Sequence, residues 1–188
     1  MSGAPEPPPA VGPDAAPDTA PRETRRMFFA LWPDDATRKL VARATKDAVR
    51  RSGGRPIAKE RLHVTVAFLG GLTPAGLTIA STVPPVEVGP FTLTLDTIGA
   101  FDSTLWFGAR SVPTPLTELE RRLWEALEAR GFMREPRIYR PHLTLARRAR
   151  RVDAEVEPVE WPVAELALVE SLPAGRNVHY EVLQTWPL

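Results

Sequence analysis

At 188 residues, 43% of them hydrophobic, the chain is long enough for one substantial core of ordinary soluble composition. No apolar run approaches the ~20 residues of a membrane helix, and the N-terminus lacks the charged start and apolar core of a secretory signal. With no cysteine, disulfides, thiolate nucleophiles and Cys-ligated zinc are excluded, and a cytoplasmic monomer without membrane contact is the expectation.

The net charge of +1 is unevenly spread. Residues 1–24 hold Glu6, Asp14, Asp18 and Glu23 against Arg22, a net of −3, so the rest carries +4. Residues 134–151 contain seven arginines and one acid, Glu135; residues 152–170 then contain six acids and no base. Such a body is too weakly basic for tight sequence-independent binding to a duplex, but an arginine cluster beside one short segment suits a phosphate-bearing ligand. For most of these arginines a solvated, self-compensating surface is reading enough.

Residues 1–24, with seven prolines and five alanines and no apolar period, read as a disordered tail; one domain is expected over residues 25–188. Met27 to Trp32 reads as a short buried strand ended by Pro33. Asp34 or Asp35 can cap a helix over about 35–51, with Ala36, Leu40, Val41, Ala44 and Val49 as its apolar stripe and Ser52-Gly53-Gly54 as its stop. A short edge piece at 57–59 leads to a strand closed by Gly70-Gly71. In 72–90, Thr73-Pro74 can start a helix, but β-branched residues and Pro84-Pro85 limit it to one or two turns.

Residues 91–96 alternate cleanly as a strand, 105–109 form another, and Asp102-Ser103 marks the turn between them. Pro115 to Arg130 is the best helix, capped by Thr114, striped by Leu116, Leu119, Leu123, Trp124 and Leu127, and ended by Gly131. A strand around 140–146 follows, and two more at 164–171 and 180–186 close the chain. Short strands with two main helices indicate an α+β fold with mainly antiparallel pairing.

One frame occurs twice. Residues 61–67 read Arg-Leu-His-Val-Thr-Val-Ala, and residues 140–146 read Arg-Pro-His-Leu-Thr-Leu-Ala. The period of two is that of a strand with unlike faces. One face carries Arg61, His63, Thr65 and Ala67, or Arg140, His142, Thr144 and Ala146; the other carries Leu62, Val64 and Val66, or Leu143 and Leu145. A lone histidine is more often a hydrogen-bonded core residue, but two of the chain's three share this frame. The third, His179, has no frame and reads as a surface or strand-edge residue. Two facing imidazoles can work as base and acid near neutrality. The threonine hydroxyls can donate to an oxygen on which negative charge builds, and the alanines would keep the floor of a cleft low. In-line displacement at a phosphate ester suits that layout. A three-histidine zinc site lacks a second ligand at close spacing, so no metal and no cofactor is expected.

His63-Val-Thr65-Val-Ala-Phe68-Leu-Gly70 and Arg140-Pro-His142-Leu-Thr144-Leu-Ala-Arg147 resemble the two signatures of the 2H phosphoesterases, and most closely the RNA 2′,3′-cyclic phosphodiesterase (2′-5′ RNA ligase) branch. The resemblance covers about residues 25–188, with supporting marks at Arg26-Met-Phe28-Phe-Ala30, Phe91 to Phe101, and Gly175 to Leu188. It implies two pseudo-symmetric lobes, each a mainly antiparallel sheet with outer helices, and a cleft between them. It implies metal-free hydrolysis of an RNA terminal 2′,3′-cyclic phosphate to a 2′-phosphate, with His63 as acid and His142 as base, although the symmetry of the frame leaves that division open. It adds Arg147, Arg140 and Phe28 to Thr65 and Thr144 as substrate-binding residues. Simple alternation sends Arg147 to the core face, so a bulge or strong twist near Ala146 is required to bring it round. Arg61 departs from the family pattern, as does the helix-poor 72–90 segment. Trp32 and Trp106 are within reach of the cleft in principle. Alternative readings are a nucleotide or RNA-end binding module of the same fold, and a phosphodiesterase acting on a small cyclic nucleotide.

Overall fold

The two histidine strands lie side by side in the middle of one antiparallel sheet. The computed structural model describes residues 24–83, 86–174 and 177–188. Apart from Thr24, the expected tail lies outside the described residues, as do Pro84, Pro85 and Gly175. In chain order the elements are β1 (Arg25–Leu31), α1 (Asp35–Ser52), β2 (Arg55–Pro56), a 3₁₀ turn (Lys59–Arg61), β3 (Val64–Leu72), α2 (Pro74–Ser81), β4 (Phe91–Leu95), β5 (Thr97–Phe101), β6 (Thr104–Gly108), α3 (Thr114–Glu128), β7 (His142–Arg147), β8 (Val159–Val163), β9 (Glu165–Ala174) and β10 (Asn177–Pro187).

The main sheet runs β10-β9-β1-β3-β7-β6-β5, with β2 added on β7, and β4 pairs with β8 in a separate ribbon. Every pairing is antiparallel. This is the expected α+β class. β3 and β7 are joined at a single pair, Val64 with Leu143, so the two halves of the sheet share one ladder along a seam one pair wide.

The helices fasten the halves together. α1 comes from the first half but packs against β6, β7 and β8, whereas α3 comes from the second and packs against β3. Asp34 caps α1 by accepting from the Thr37 amide at 2.7 Å, and Gly53 ends it in the left-handed region at φ 64. Its buried face is not the expected stripe. Thr37, Val41, Thr45, Ala48 and Ser52 point inward, and Leu40 is 39% exposed. The hydroxyls of Thr45 and Ser52 donate to the helix's own carbonyls at Val41 and Val49, so these small polar residues are buried without an unsatisfied group. α3 buries its predicted leucines and Trp124, but Thr114 is its first residue and not its cap; Pro113 holds the cap position without a side-chain bond. α2 spans eight residues, capped by Thr73, as the 72–90 composition allows.

Sequence reading missed β5 and β8. Residues 91–101 are two strands, since at Asp96 the chain leaves the ribbon with β8 and joins the hairpin with β6. The Asp96 amide donates to the Gly108 carbonyl, and its carboxylate accepts from the Arg110 amide. The turn at Asp102-Ser103 therefore joins β5 to β6, not the 91–96 strand to 105–109.

Candidate active site

Both histidine strands carry a bulge at the same place. In β3, Thr65 lies opposite Ala30 and Ala67 opposite Phe29, leaving Val66 as the extra residue. In β7, Thr144 lies opposite Trp106 and Ala146 opposite Leu105, leaving Leu145 extra. A bulge reverses the alternation beyond it. His63, Thr65 and Phe68 therefore share one face with His142, Thr144 and Arg147, and together they line a cleft of about 900 Å³. This is the bulge that Arg147 requires. The alanines go the other way: Ala67 (1% exposed) and Ala146 (0%) are packed in the core and do not form the cleft floor that plain alternation predicts.

The histidines are held alike. The Nδ1 of His63 bonds to the Arg61 carbonyl and that of His142 to the Arg140 carbonyl, each at 2.7 Å. A carbonyl only accepts, so Nδ1 carries the proton in both rings and Nε2 is left with a free lone pair. Arg61 lies in the 3₁₀ turn and Arg140 just ahead of β7, so both arginines precede the strands; both residues also line the cleft.

Each ring has its own aromatic setting. His63 is stacked on Trp32 (5.3 Å between centroids, 13° between planes) and touches Phe28 at 4.9 Å and Tyr180 at 5.0 Å. His142 meets Phe101 edge-on at 5.1 Å and Trp106 at 6.1 Å. Phe28 lines the cleft, and both tryptophans reach the histidines. Burial is the main reason His63 falls to a pKa of about 4, with the positive charges of His142 and Arg147 adding to it. His142 is lowered as well, by burial first and then by Arg137.

The cleft is electropositive. Arg134 pairs with Glu120 at 2.6 Å and Arg137 with Glu135 at 3.1 Å. Among the described residues, Arg26, Arg61, Arg140 and Arg147 line the cleft with no carboxylate partner. Every candidate from the sequence (His63, His142, Thr65, Thr144, Arg147, Arg140 and Phe28) lies on this one wall system. Sequence reasoning missed Tyr180, Phe101, Phe68 and Arg26 as lining residues. Phe101 was hidden with its strand, and Phe68 needed the bulge. His179 is exposed on β10, at the sheet's edge. Among the described residues no group of three His, Cys, Asp or Glu comes together to hold a metal, and no helix is long and apolar enough to cross a membrane.

An antiparallel α+β fold that brings two His-x-Thr strands into one cleft is that of a 2H phosphoesterase. Within that class the model of the 2′-5′ RNA ligase superfamily matches residues 33–174, and the chain belongs to that family. It is 30% identical over 172 residues to the RNA 2′,3′-cyclic phosphodiesterase of Escherichia coli (strain K12), covering 88% of this chain and 98% of that protein. A solved phosphoesterase structure superposes with a TM-score of 0.81 at 29% identity, covering 88% of this chain and 99% of its own. E. coli LigT complexed with 3′-AMP superposes with a TM-score of 0.78 at 29% identity and the same coverage.

Proposed function

We propose that the protein hydrolyses the terminal 2′,3′-cyclic phosphate of RNA to a 2′-phosphate, with no metal, through His63 and His142. The observation that carries this is the pair of imidazoles, each with Nδ1 tied to a carbonyl and Nε2 free, in one arginine-lined cleft. The relatives named RNA 2′,3′-cyclic phosphodiesterase, and the E. coli structure holding 3′-AMP, support the choice of substrate.

One imidazole takes a proton from water as the water oxygen bonds to phosphorus. The P–O3′ bond breaks, and the other imidazole protonates the departing 3′-oxygen. The products are a 3′-hydroxyl and a 2′-phosphate. Thr65, Thr144 and Arg147 donate to the non-bridging oxygens as their charge grows. The resemblance gives the acid role to His63 and the base role to His142. In the empty cleft His63 is neutral at pH 7, and the anionic substrate supplies what it needs to become an acid. A phosphate paired with Arg147 screens one of the charges that depress His63 and adds a negative charge of its own, so substrate binding favours uptake of a proton by His63 from solvent.

The test is an oligoribonucleotide ending in a 2′,3′-cyclic phosphate, incubated with the protein in excess EDTA in ¹⁸O-water. The expected product is a 2′-phosphate carrying one ¹⁸O. Activity that vanishes with chelator and returns with zinc would overturn the histidine-only mechanism. Tight binding without turnover would establish a binding module instead.

A further inference from the structure

A second recess opens off the cleft. It has a volume of about 770 Å³ and lies between the start of β1 and strands β9 and β10. Arg26, Arg147, Ser171, Val178 and Tyr180 line both spaces, so the two adjoin. Among its described lining residues three arginines, Arg25, Arg26 and Arg147, stand against one carboxylate. Its carboxylate, Glu170, is 3% exposed and is held by both Nε and Nη2 of Arg25, so that pair cancels. Glu181 stands near enough to act on Arg25 as well. Arg26 and Arg147 remain, neither with a carboxylate partner among the described residues.

Arg26 is placed for a ligand and not for the fold. It is exposed, and alternation along β1 puts it on the cleft face with Phe28 and Ala30. It lies two residues, roughly 7 Å of strand, from Phe28, whose ring touches His63. Its guanidinium is laid over the Phe68 ring, 4.9 Å from the centroid, which orients it without neutralising it. An oriented guanidinium with free donors, one short step from a phosphate centre, is suited to a second phosphate.

We infer that the recess takes the nucleotide on the 5′ side of the cyclic terminus, with Arg26 binding the phosphodiester that joins it. The inference rests on the function proposed above and gives its substrate class: oligonucleotide ends are favoured over mononucleoside cyclic phosphates. Arg147, shared by the two spaces, stands between the reacting phosphate and the next one along. A mononucleotide has no second phosphate and leaves the recess empty.

The experiment compares wild type, Arg26→Gln and Arg26→Lys on two substrates with the same terminal base, a trinucleotide and a mononucleoside, each ending in a 2′,3′-cyclic phosphate. Wild type has the lower KM on the trinucleotide. Arg26→Gln raises that KM about tenfold with kcat held, raises the mononucleoside KM by a clearly smaller factor, and flattens the log–log salt dependence for the trinucleotide by about 0.7. Arg26→Lys, which keeps the charge but not the fork, falls between. Equal KM values for the two substrates in wild type, or equal effects of Arg26→Gln on both, overturn the inference while the hydrolase reading stands. A wild type that hydrolyses neither substrate removes the function itself, and the inference with it.

Discussion

Phe68 and Arg147 hold the same place in the two copies of the repeated frame, five residues past His63 and His142, and each is turned into the cleft by a bulge at the third. The duplicated backbone therefore delivers unlike side chains. The first half presents an aromatic ring with Arg26 resting on it, and the second presents a guanidinium directly.

Replacing Arg147 tests both of its assigned effects. Arg147→Gln should raise KM for the cyclic-phosphate substrate by about 10–100-fold, the cost of a charged hydrogen bond. It should also raise the pKa of His63 above about 4 in the free protein, since Arg147 is one of the charges that lower it. Burial is the larger cause and is untouched, so the value should stay below that of an ordinary histidine. An NMR titration of the His63 ring reads this out; an unmoved or falling pKa would refute the proximity.

Each imidazole is assigned one proton transfer, typically worth about 10²–10⁴-fold. His63→Ala and His142→Ala should each lose about that much in kcat with KM little changed. The double variant should lose less than the product of the two, because the residues act as a unit. Thr65→Val and Thr144→Val should lose less than either. The pH–rate curve should be a bell in wild type and keep a single limb in each histidine variant; a full bell in one of them would strip that residue of its role.

Stability should depend on pH in a direction fixed by His63. Its folded pKa of about 4 lies below the ~6.5 of an unfolded histidine, so between these values the unfolded chain binds more protons. The contribution is complete above pH ~6.5 and is lost as pH falls toward 4, with His142 acting in the same sense. Tm should therefore drop between pH 7.5 and 5, and His63→Phe, which keeps a ring against Phe28, Trp32 and Tyr180, should flatten the drop. A Tm that climbs on acidification contradicts the argument.

Gly99 on β5 is a glycine because the Trp106 indole occupies the space of a side chain. A Cβ there would lie 2.1 Å from the ring, and the indole cannot move without disturbing Phe101 and His142. Gly99→Ala should cost about 1–3 kcal/mol of overpacking, a fall in Tm of several degrees, and should lower kcat although no cleft residue is changed. Unaltered kcat and Tm would show that the ring has room to yield.

The repeated frame made the centre of the site legible because period-two alternation requires only local sequence. His63, Thr65, His142 and Thr144 lie where that alternation puts them. Beyond the bulges it fails: Ala67 and Ala146 are in the core, and nothing in V-T-V-A or L-T-L-A marks the extra residue. Arg147 alone gave a hint, since a charged residue on a core face demands a reason. The strand switch at Asp96 left no hydrophobic signature, because both partners of the 91–101 run accept the same apolar alternation. The face of α1 was misread because Thr45 and Ser52 satisfy themselves within the helix, which hydropathy does not register.

The exchange of helices across the seam makes the two halves hostages to each other. A chain cut between Arg110 and Thr114 would leave β3 with α2 but without α3, and β7 without α1. Each piece would then expose apolar surface that the other covers in the whole chain.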